Sequence, residues 1–119
     1  GIQDLFLLLG VYTMDRLELH EKLIELIGTK GEKESRVYFQ PPPSVSMKYR
    51  CIRYSKSGVR QFRANDGNYR LVDEYELTVI DPNPDSDLPG LIMHTFPMCS
   101  FNRMYTANNL NHFVLKLYI

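Results

Sequence analysis

Residues 69–81, YRLVDEYELTVID, decide the fold class of this chain. Tyr75, Leu77 and Val79 alternate with side chains that face the other way. This period-two pattern is typical of a strand in an antiparallel sheet with at least one face that is partly exposed to solvent. NDGN at 65–68 contains an Asp-Gly pair, which is a strong hairpin signal. We therefore predict a long strand over 69–81 that follows a hairpin turn.

A helix is predicted over about residues 14–27. Thr13 is the expected N-cap, and Gly28 is expected to end the helix. Charged side chains occupy one side of this helix and apolar side chains the other. The apolar side consists of Leu17, Leu19, Leu23, Ile24, Leu26 and Ile27.

Two strands are predicted between this helix and the hairpin, over residues 36–40 and 47–54. SKSG at 55–58 is predicted to be a turn, and residues 59–69 a protruding hairpin or ordered loop. The sequence thus places a projecting segment directly before the long strand.

Three consecutive prolines, Pro41, Pro42 and Pro43, separate those two strands. Because proline has no N–H to donate, the first strand cannot continue through them as a central strand. Consecutive prolines also hold the chain stiffly near polyproline geometry. A rigid connector between two strands is the simpler interpretation, and a docking edge for a partner is the alternative.

DPNPDSDLPG at 81–90 predicts a turn that leads into a short helix. Asp85 or Ser86 is the expected cap, Pro89 is tolerated in the first turn, and the helix is expected to end before Pro97.

Two strands, over residues 99–105 and 112–119, complete the chain and are joined by TANNLN. The order α-β-β-β-α-β-β predicts a single α+β domain over residues 14–119, with two helices packed on a mostly antiparallel sheet.

Residues 1–13 are predicted to form an apolar extension, too short to span a bilayer and unlike a signal peptide. We expect it to pack on the core or to dock onto a neighbour.

Charge is distributed unevenly along the 119 residues, although 14 basic and 14 acidic residues cancel overall. Residues 1–47 carry a net charge of −2, residues 48–70 of +6, and residues 71–119 of −4. Such asymmetry favours a surface that meets an acidic partner, either nucleic acid or another copy of the chain. The basic residues of the central segment are Lys48, Arg50, Arg53, Lys56, Arg60, Arg63 and Arg70.

Three interpretations of this basic segment remain open. Its cations could contact phosphates while aromatic rings stack on bases. They could instead pair with acidic residues of a neighbouring strand, namely Asp73, Glu74 and Glu76. They could also contact the acidic side of the first helix on the next subunit, and such heterologous contacts close into rings. The rings interleaved with the basic residues are Tyr49, Tyr54, Phe62 and Tyr69, and the helix acids are Glu18, Glu21 and Glu25.

No catalytic, metal or cofactor site is predicted. DPNPDSD at 81–87 imitates the start of an EF-hand loop, but Ser86 and Ile92 stand where that loop needs Gly and Glu. No phosphate-binding, dinucleotide or nucleophile-elbow motif occurs. Neither the histidines nor the cysteines have ligand spacing, so we expect them to be structural and the cysteines to be reduced and buried. These residues are His20, His94, His112, Cys51 and Cys99.

Three blocks of the sequence resemble a family of small structural proteins of tailed bacteriophages, the tail terminator or tail-completion proteins of the head–tail neck. The blocks are VYFQPPPSVSMKYRCIRY, YELTVIDPNPDSDLPG and CSFNRMYTANNLNHFVLKLY. The resemblance covers about residues 14–119. Arg50 departs from the family pattern, in which a proline is usual between the tyrosine and the cysteine.

The resemblance implies a virion protein without enzyme activity or cofactor, assembled in the host cytoplasm. It implies a homo-oligomeric ring, typically of six copies, which caps the tail tube, contacts the tube protein and the connector or stopper protein, and lets DNA pass through its lumen. The interface expected from the residues themselves comprises Pro41–Pro43, the central basic residues and the helix acids named above. A nucleic-acid-binding domain and another phage head-completion, stopper or baseplate protein are the alternatives.

Overall fold

The computed structural model describes residues 14–28, 35–63, 67 and 69–119. In these ranges the elements follow the predicted order α-β-β-β-α-β-β and form one α+β domain. The predicted extension at 1–13 lies outside the described residues. The helices are α1 (Arg16–Ile27) and α2 (Leu88–Thr95), and the strands are β1 (Val37–Phe39), β2 (Cys51–Arg63), β3 (Tyr69–Asp81), β4 (Cys99–Ala107) and β5 (Leu110–Tyr118).

The described strands form one sheet in the order β1-β2-β3-β5-β4. β1 is parallel to β2, and the other neighbours are antiparallel. β3 has the predicted bounds and lies at the centre, where it pairs along its length with β2 and over residues 74–81 with β5. The pairing of Arg63 with Tyr69 confirms the hairpin.

The predicted turn at 55–58 is wrong, because β2 continues through it. A β-bulge between Lys56 and Gly58 accommodates the extra residue, Ser57, without interrupting the pairing with β3.

The core lies between the sheet and both helices. Tyr75, Leu77 and Val79 of β3 face the helices, and this confirms the alternation expected for the strand. Successive strand residues face opposite sides, so Glu76 and Thr78 point to the other side of the sheet, which we call the far face. The helix residues buried against the sheet are Leu19, Leu23, Ile27, Leu88, Ile92 and Phe96.

Helix α1 has a different N-cap from the expected one. Asp15 is the N-cap, and its side chain accepts a hydrogen bond from the backbone N–H of Glu18 at 2.8 Å. Thr13, the expected cap, lies outside the described residues. Gly28 ends the helix as predicted, with a left-handed φ of 82° that glycine adopts without strain.

The apolar stripe of α1 is narrower than predicted. Leu19, Leu23 and Ile27 are buried at spacings of four residues, and Ile24 and Leu26 are partly buried. Leu17 was expected on the same side, but 65% of its surface is exposed. Leu17 is therefore an apolar residue on the outer surface of the helix.

Helix α2 ends at Thr95, before Pro97, as predicted. Its N-cap residue is Asp87, whose side chain makes no cap hydrogen bond, so neither Asp85 nor Ser86 holds that position. Ser86 nevertheless accepts a hydrogen bond from the backbone N–H of Leu88 at 3.4 Å.

The connection between β4 and β5 is shorter than the predicted loop TANNLN. Both strands extend into it, and the turn consists of Asn108 and Asn109, with φ of 54° and 62°. Two consecutive left-handed residues match the right-handed twist of a hairpin, and asparagine tolerates this conformation.

Residues 40–50 cross from the end of β1 to the start of the parallel strand β2. Parallel neighbours need such a crossover, because a tight turn can join only antiparallel strands. Pro41–Pro43 lie in its first part, where the N–H of Val45 donates to the carbonyl of Pro42 at 3.0 Å. This position fits the rigid-connector interpretation of the prolines.

Replacing Asp15 with alanine should lower the free energy of unfolding by about 1 kcal/mol, because α1 loses its N-cap hydrogen bond. Chemical denaturation measures this change. Asp15→Asn is the matched control, since asparagine caps equally well and should stay close to wild type. An alanine variant as stable as the asparagine variant would contradict the assignment of this cap.

Replacing Pro41, Pro42 and Pro43 together with glycine should lower the free energy of unfolding by about 2 kcal/mol, because the unfolded chain gains conformational freedom. Thermal denaturation and analytical ultracentrifugation of the same variant separate the two interpretations of the prolines. Loss of self-association at unchanged stability would support the docking edge instead of the connector.

Candidate functional site

β2 and β3 extend past the rest of the sheet as a two-stranded arm. On one side, β1 ends opposite Tyr54 of β2. On the other side, pairing with β3 ends at Ile119, directly after β5, which exchanges two 3.1 Å backbone hydrogen bonds with Asp73. Beyond these points, the described residues 60–63 pair with residues 69–72, and Val59 pairs with Asp73 at the base, so we define the projecting ribbon as residues 59–63 and 69–72. We call these residues the arm, which is about 17 Å long at the usual rise of a strand.

One side of the arm, continuous with the far face, packs against the end of β5. The rings of Phe62 and Tyr118 meet edge-on with centroids 6.0 Å apart, and the guanidinium of Arg60 lies 5.3 Å from the Tyr118 centroid. Val72 is buried on this side, and the Tyr118 hydroxyl donates to Glu74 at 3.0 Å. These contacts hold the arm against the domain.

The other side of the arm is largely exposed to solvent and carries three apolar side chains. It continues the side of β2 and β3 that the helices cover nearer the core. Leu71 is 74% exposed, Tyr69 58% and Val59 54%. We call Val59, Gln61, Arg63, Tyr69 and Leu71 the bare face of the arm.

The arm brings together three of the predicted site residues, Arg60, Arg63 and Arg70, all of them exposed. Arg63 belongs to the bare face, and Arg60 and Arg70 to the opposite side. At the base of the arm, the ammonium of Lys56 lies 3.1 Å from a carboxylate oxygen of Asp73. The charges of that pair cancel, so the arm is positive.

The remaining basic residues lie elsewhere. The guanidinium of Arg50 lies 3.1 Å from Asp87 and 4.0 Å from Asp81, so it binds the start of α2 to the crossover. Lys48 is exposed on the crossover. Arg53 lies on the far face of β2. The basic segment is thus not one continuous surface.

A polar cleft of about 290 Å³ lies between the proline segment and the far face of the sheet. Arg53 and Glu76 supply its charges, and the hydroxyl residues come from β2 and β3. Its lining consists of Gln40, Pro41, Arg53, Tyr54, Ser55, Glu76 and Thr78.

The predicted acids of α1 lie on its outer surface. Glu18, Glu21 and Glu25 are exposed at spacings of three and four residues, which places them along one stripe. Leu17 lies one turn from Glu21 and shares this surface, and Lys22 lies among the acids. We call Leu17, Glu18, Glu21 and Glu25 the acidic face of α1.

Two cysteine thiols lie in the described part of the fold. Burial raises the pKa of both Cys51 and Cys99 to about 11, so both thiols stay protonated at neutral pH. Cys51 is buried as expected, but Cys99 is only partly buried, and both are free. Within the described ranges, no group of three or more His, Cys, Asp or Glu side chains is placed to hold a metal ion.

His20 connects α1 to the sheet. Its Nδ1 lies 2.7 Å from the hydroxyl of Tyr54, which is almost completely buried. Burial and, to a lesser extent, the nearby charge of Arg16 lower the pKa of His20 below 6.5. Because Tyr54 is buried, it cannot stack on a base, and this corrects its place among the candidate nucleic-acid contacts.

Neither described helix is long and apolar enough to cross a membrane.

Sequence reasoning missed the apolar part of the arm and of the helix surface. Leu17 was expected on the apolar side of α1, and Leu71, which has the same phase as Leu77, was not singled out. The sequence signal is present in the alternation, but it does not show how far the helices reach over the strands.

No protein-family model, curated protein or solved structure matches this chain. The function of the protein is therefore inferred from the arm, from the acidic face of α1 and from the resemblance of the sequence blocks.

Replacing His20 with glutamine should make stability less dependent on pH. In wild type, the unfolded chain takes up a proton at His20 more readily than the folded chain, so stability should fall as the pH drops below about 6.5. Denaturant unfolding between about pH 8 and about pH 5 would measure the difference between the two proteins. A difference that stays constant over this range would show that His20 does not contribute.

Proposed function

We propose that this chain is a structural subunit that assembles with copies of itself into a ring at the head–tail neck of a tailed bacteriophage. In this role the ring caps the tail tube and joins it to the connector, while DNA passes through the lumen. The sequence blocks that resemble the tail terminator or tail-completion family support the location. No catalytic step is part of the proposal.

The observation that carries the proposal is the arm. A two-stranded ribbon is only marginally stable in water, and this one exposes Val59, Tyr69 and Leu71 together on one side. Contiguous exposed apolar side chains typically mark a surface that contacts another protein. The acidic face of α1 supplies a second surface of opposite charge, so each subunit has two different contact surfaces, as a ring requires.

Nucleic-acid binding is the second candidate, favoured by the three arginines of the arm and the exposed ring of Tyr69. Other observations favour self-assembly. Arg50 and Lys56 already form ion pairs within the chain, and the Phe62 ring packs on Tyr118. The cations and rings needed to follow a phosphate backbone are therefore partly engaged.

The purified chain should sediment as a closed oligomer several times heavier than its 13.9 kDa subunit, and electron microscopy should show rings with a central opening. Reversing the charge of Arg60, Arg63 and Arg70 together should leave monomers, because the arm then repels an acidic neighbour. Asp85→Lys, a charge change at an exposed turn residue outside both surfaces, is the control and should still form rings.

The nucleic-acid candidate predicts a different result in the same measurements. A wild-type chain that remains a monomer and binds duplex DNA with a steep salt dependence would support the nucleic-acid candidate instead. If rings form, cryo-electron microscopy of virions containing this chain locates them. A position in the baseplate, and not between tail tube and connector, would overturn the neck assignment while leaving self-assembly intact.

A further inference from the structure

We propose that the bare face of the arm binds the acidic face of α1 on a second copy of the chain. The inference rests on the proposed function, and it specifies which surfaces of two neighbouring subunits meet. The contact would place Leu71 of one copy against Leu17 of the next, with Arg63 and the glutamates of α1 around this apolar centre.

The two surfaces match in their apolar residues. Leu71 and Leu17 are the two most exposed large hydrophobic side chains in the described part of the chain, at 74% and 65%. Tyr69 and Val59 widen the patch on the arm. Bringing these side chains together removes apolar surface from water in both subunits, which is the main driving force of most protein association.

The two surfaces also match in charge. The bare face carries one cation, Arg63, on an arm that is positive as a whole, whereas the acidic face of α1 carries Glu18, Glu21 and Glu25. Arginine side chains are long and bind carboxylates in a planar, bidentate geometry, so they suit the edge of such a contact. Opposite charges also steer the two copies into the correct orientation before contact.

Within one copy, these two surfaces belong to different parts of the fold. The arm extends past the point where β1 and β5 stop, whereas α1 is anchored over the sheet through Leu19 and Leu23. Each copy can therefore use its arm on one neighbour and offer its helix to another. Such a contact is heterologous, and with a suitable rotation between copies it closes into a ring.

Cysteine cross-linking tests the contact directly. We expect a chain carrying both Leu17→Cys and Leu71→Cys to form a ladder of covalent multimers under mild oxidation, because each copy is joined to two neighbours. Each single variant should stay monomeric on a non-reducing gel. Leu17→Cys combined with Asp85→Cys is the matched control and should give no ladder. The native thiols, with pKa values of about 11, are slow to react at neutral pH.

A charge exchange provides an independent readout. Arg63→Glu should weaken association about tenfold, equivalent to about 1.4 kcal/mol. Adding Glu21→Arg to the same chain should restore most of the loss, because every contact in the ring then carries the exchanged pair. Arg63→Glu combined with Asp85→Arg should not be rescued. Circular dichroism of each variant verifies that its fold is retained.

The outcomes separate this inference from the proposed function. Rings that form without a cross-linking ladder and without charge rescue would overturn the arm-to-helix contact but leave self-assembly standing. Dimers from the Leu71→Cys single variant would show arm-to-arm pairing, which also overturns it. A wild-type chain that remains monomeric would overturn both proposals.

Discussion

The length difference between strands and helices is the constraint on which this structure depends. A strand rises about 3.4 Å per residue and a helix about 1.5 Å, so strands of the length of β2 and β3 span about 44 Å, whereas a helix like α1 spans about 18 Å. Helix α2 is shorter than α1 and covers an even smaller part of the β2–β3 ribbon. Two such helices cannot cover the whole β2–β3 ribbon, so part of the side that faces the helices must remain uncovered.

The fold resolves this constraint differently on the two sides of the arm. On the side continuous with the far face, Tyr118 packs on Phe62 and receives the guanidinium of Arg60, so the end of β5 provides cover. On the other side, the pattern that buries Leu77 continues to Leu71, where no described residue covers it. In the proposed assembly, these contacts with Tyr118 would reduce the ordering that the arm needs on binding, and this lowers the entropic cost of the contact.

The regular parts of the fold could be predicted because each depends on a local pattern. Alternation defined β3, and the apolar periodicity of residues 14–27 defined α1, although it placed the exposed Leu17 on the apolar side. SKSG was misassigned because serine and glycine favour turns, whereas pairing along all of β3 outweighs that local preference. Gly58 instead lies in the bulge region, where a Cβ atom would come within 3.2 Å of the Glu74 carboxylate.

The candidate site was only half predictable, for a related reason. Charge is visible in a sequence, so Arg60, Arg63, Arg70 and the helix acids could be named in advance. Exposure of Leu71 and Leu17 depends on where the helices end over the sheet, which is a tertiary property. The parallel direction of the three-residue strand β1 also depends on tertiary structure, because its local sequence does not distinguish a parallel from an antiparallel strand.

The distribution of charge bears on the geometry of assembly as well as on its strength. Two arms brought together by their bare faces would bring Arg63 of one copy near Arg63 of the other, and two α1 helices would place glutamates against glutamates. Both symmetric pairings are therefore disfavoured by repulsion, whereas the arm-to-helix pairing is favoured by attraction. An apolar patch without these charges would associate with any similar patch. In the proposed assembly, Arg63 and the glutamates of α1 would therefore favour the heterologous contact that a ring needs over the symmetric dimer that would prevent it.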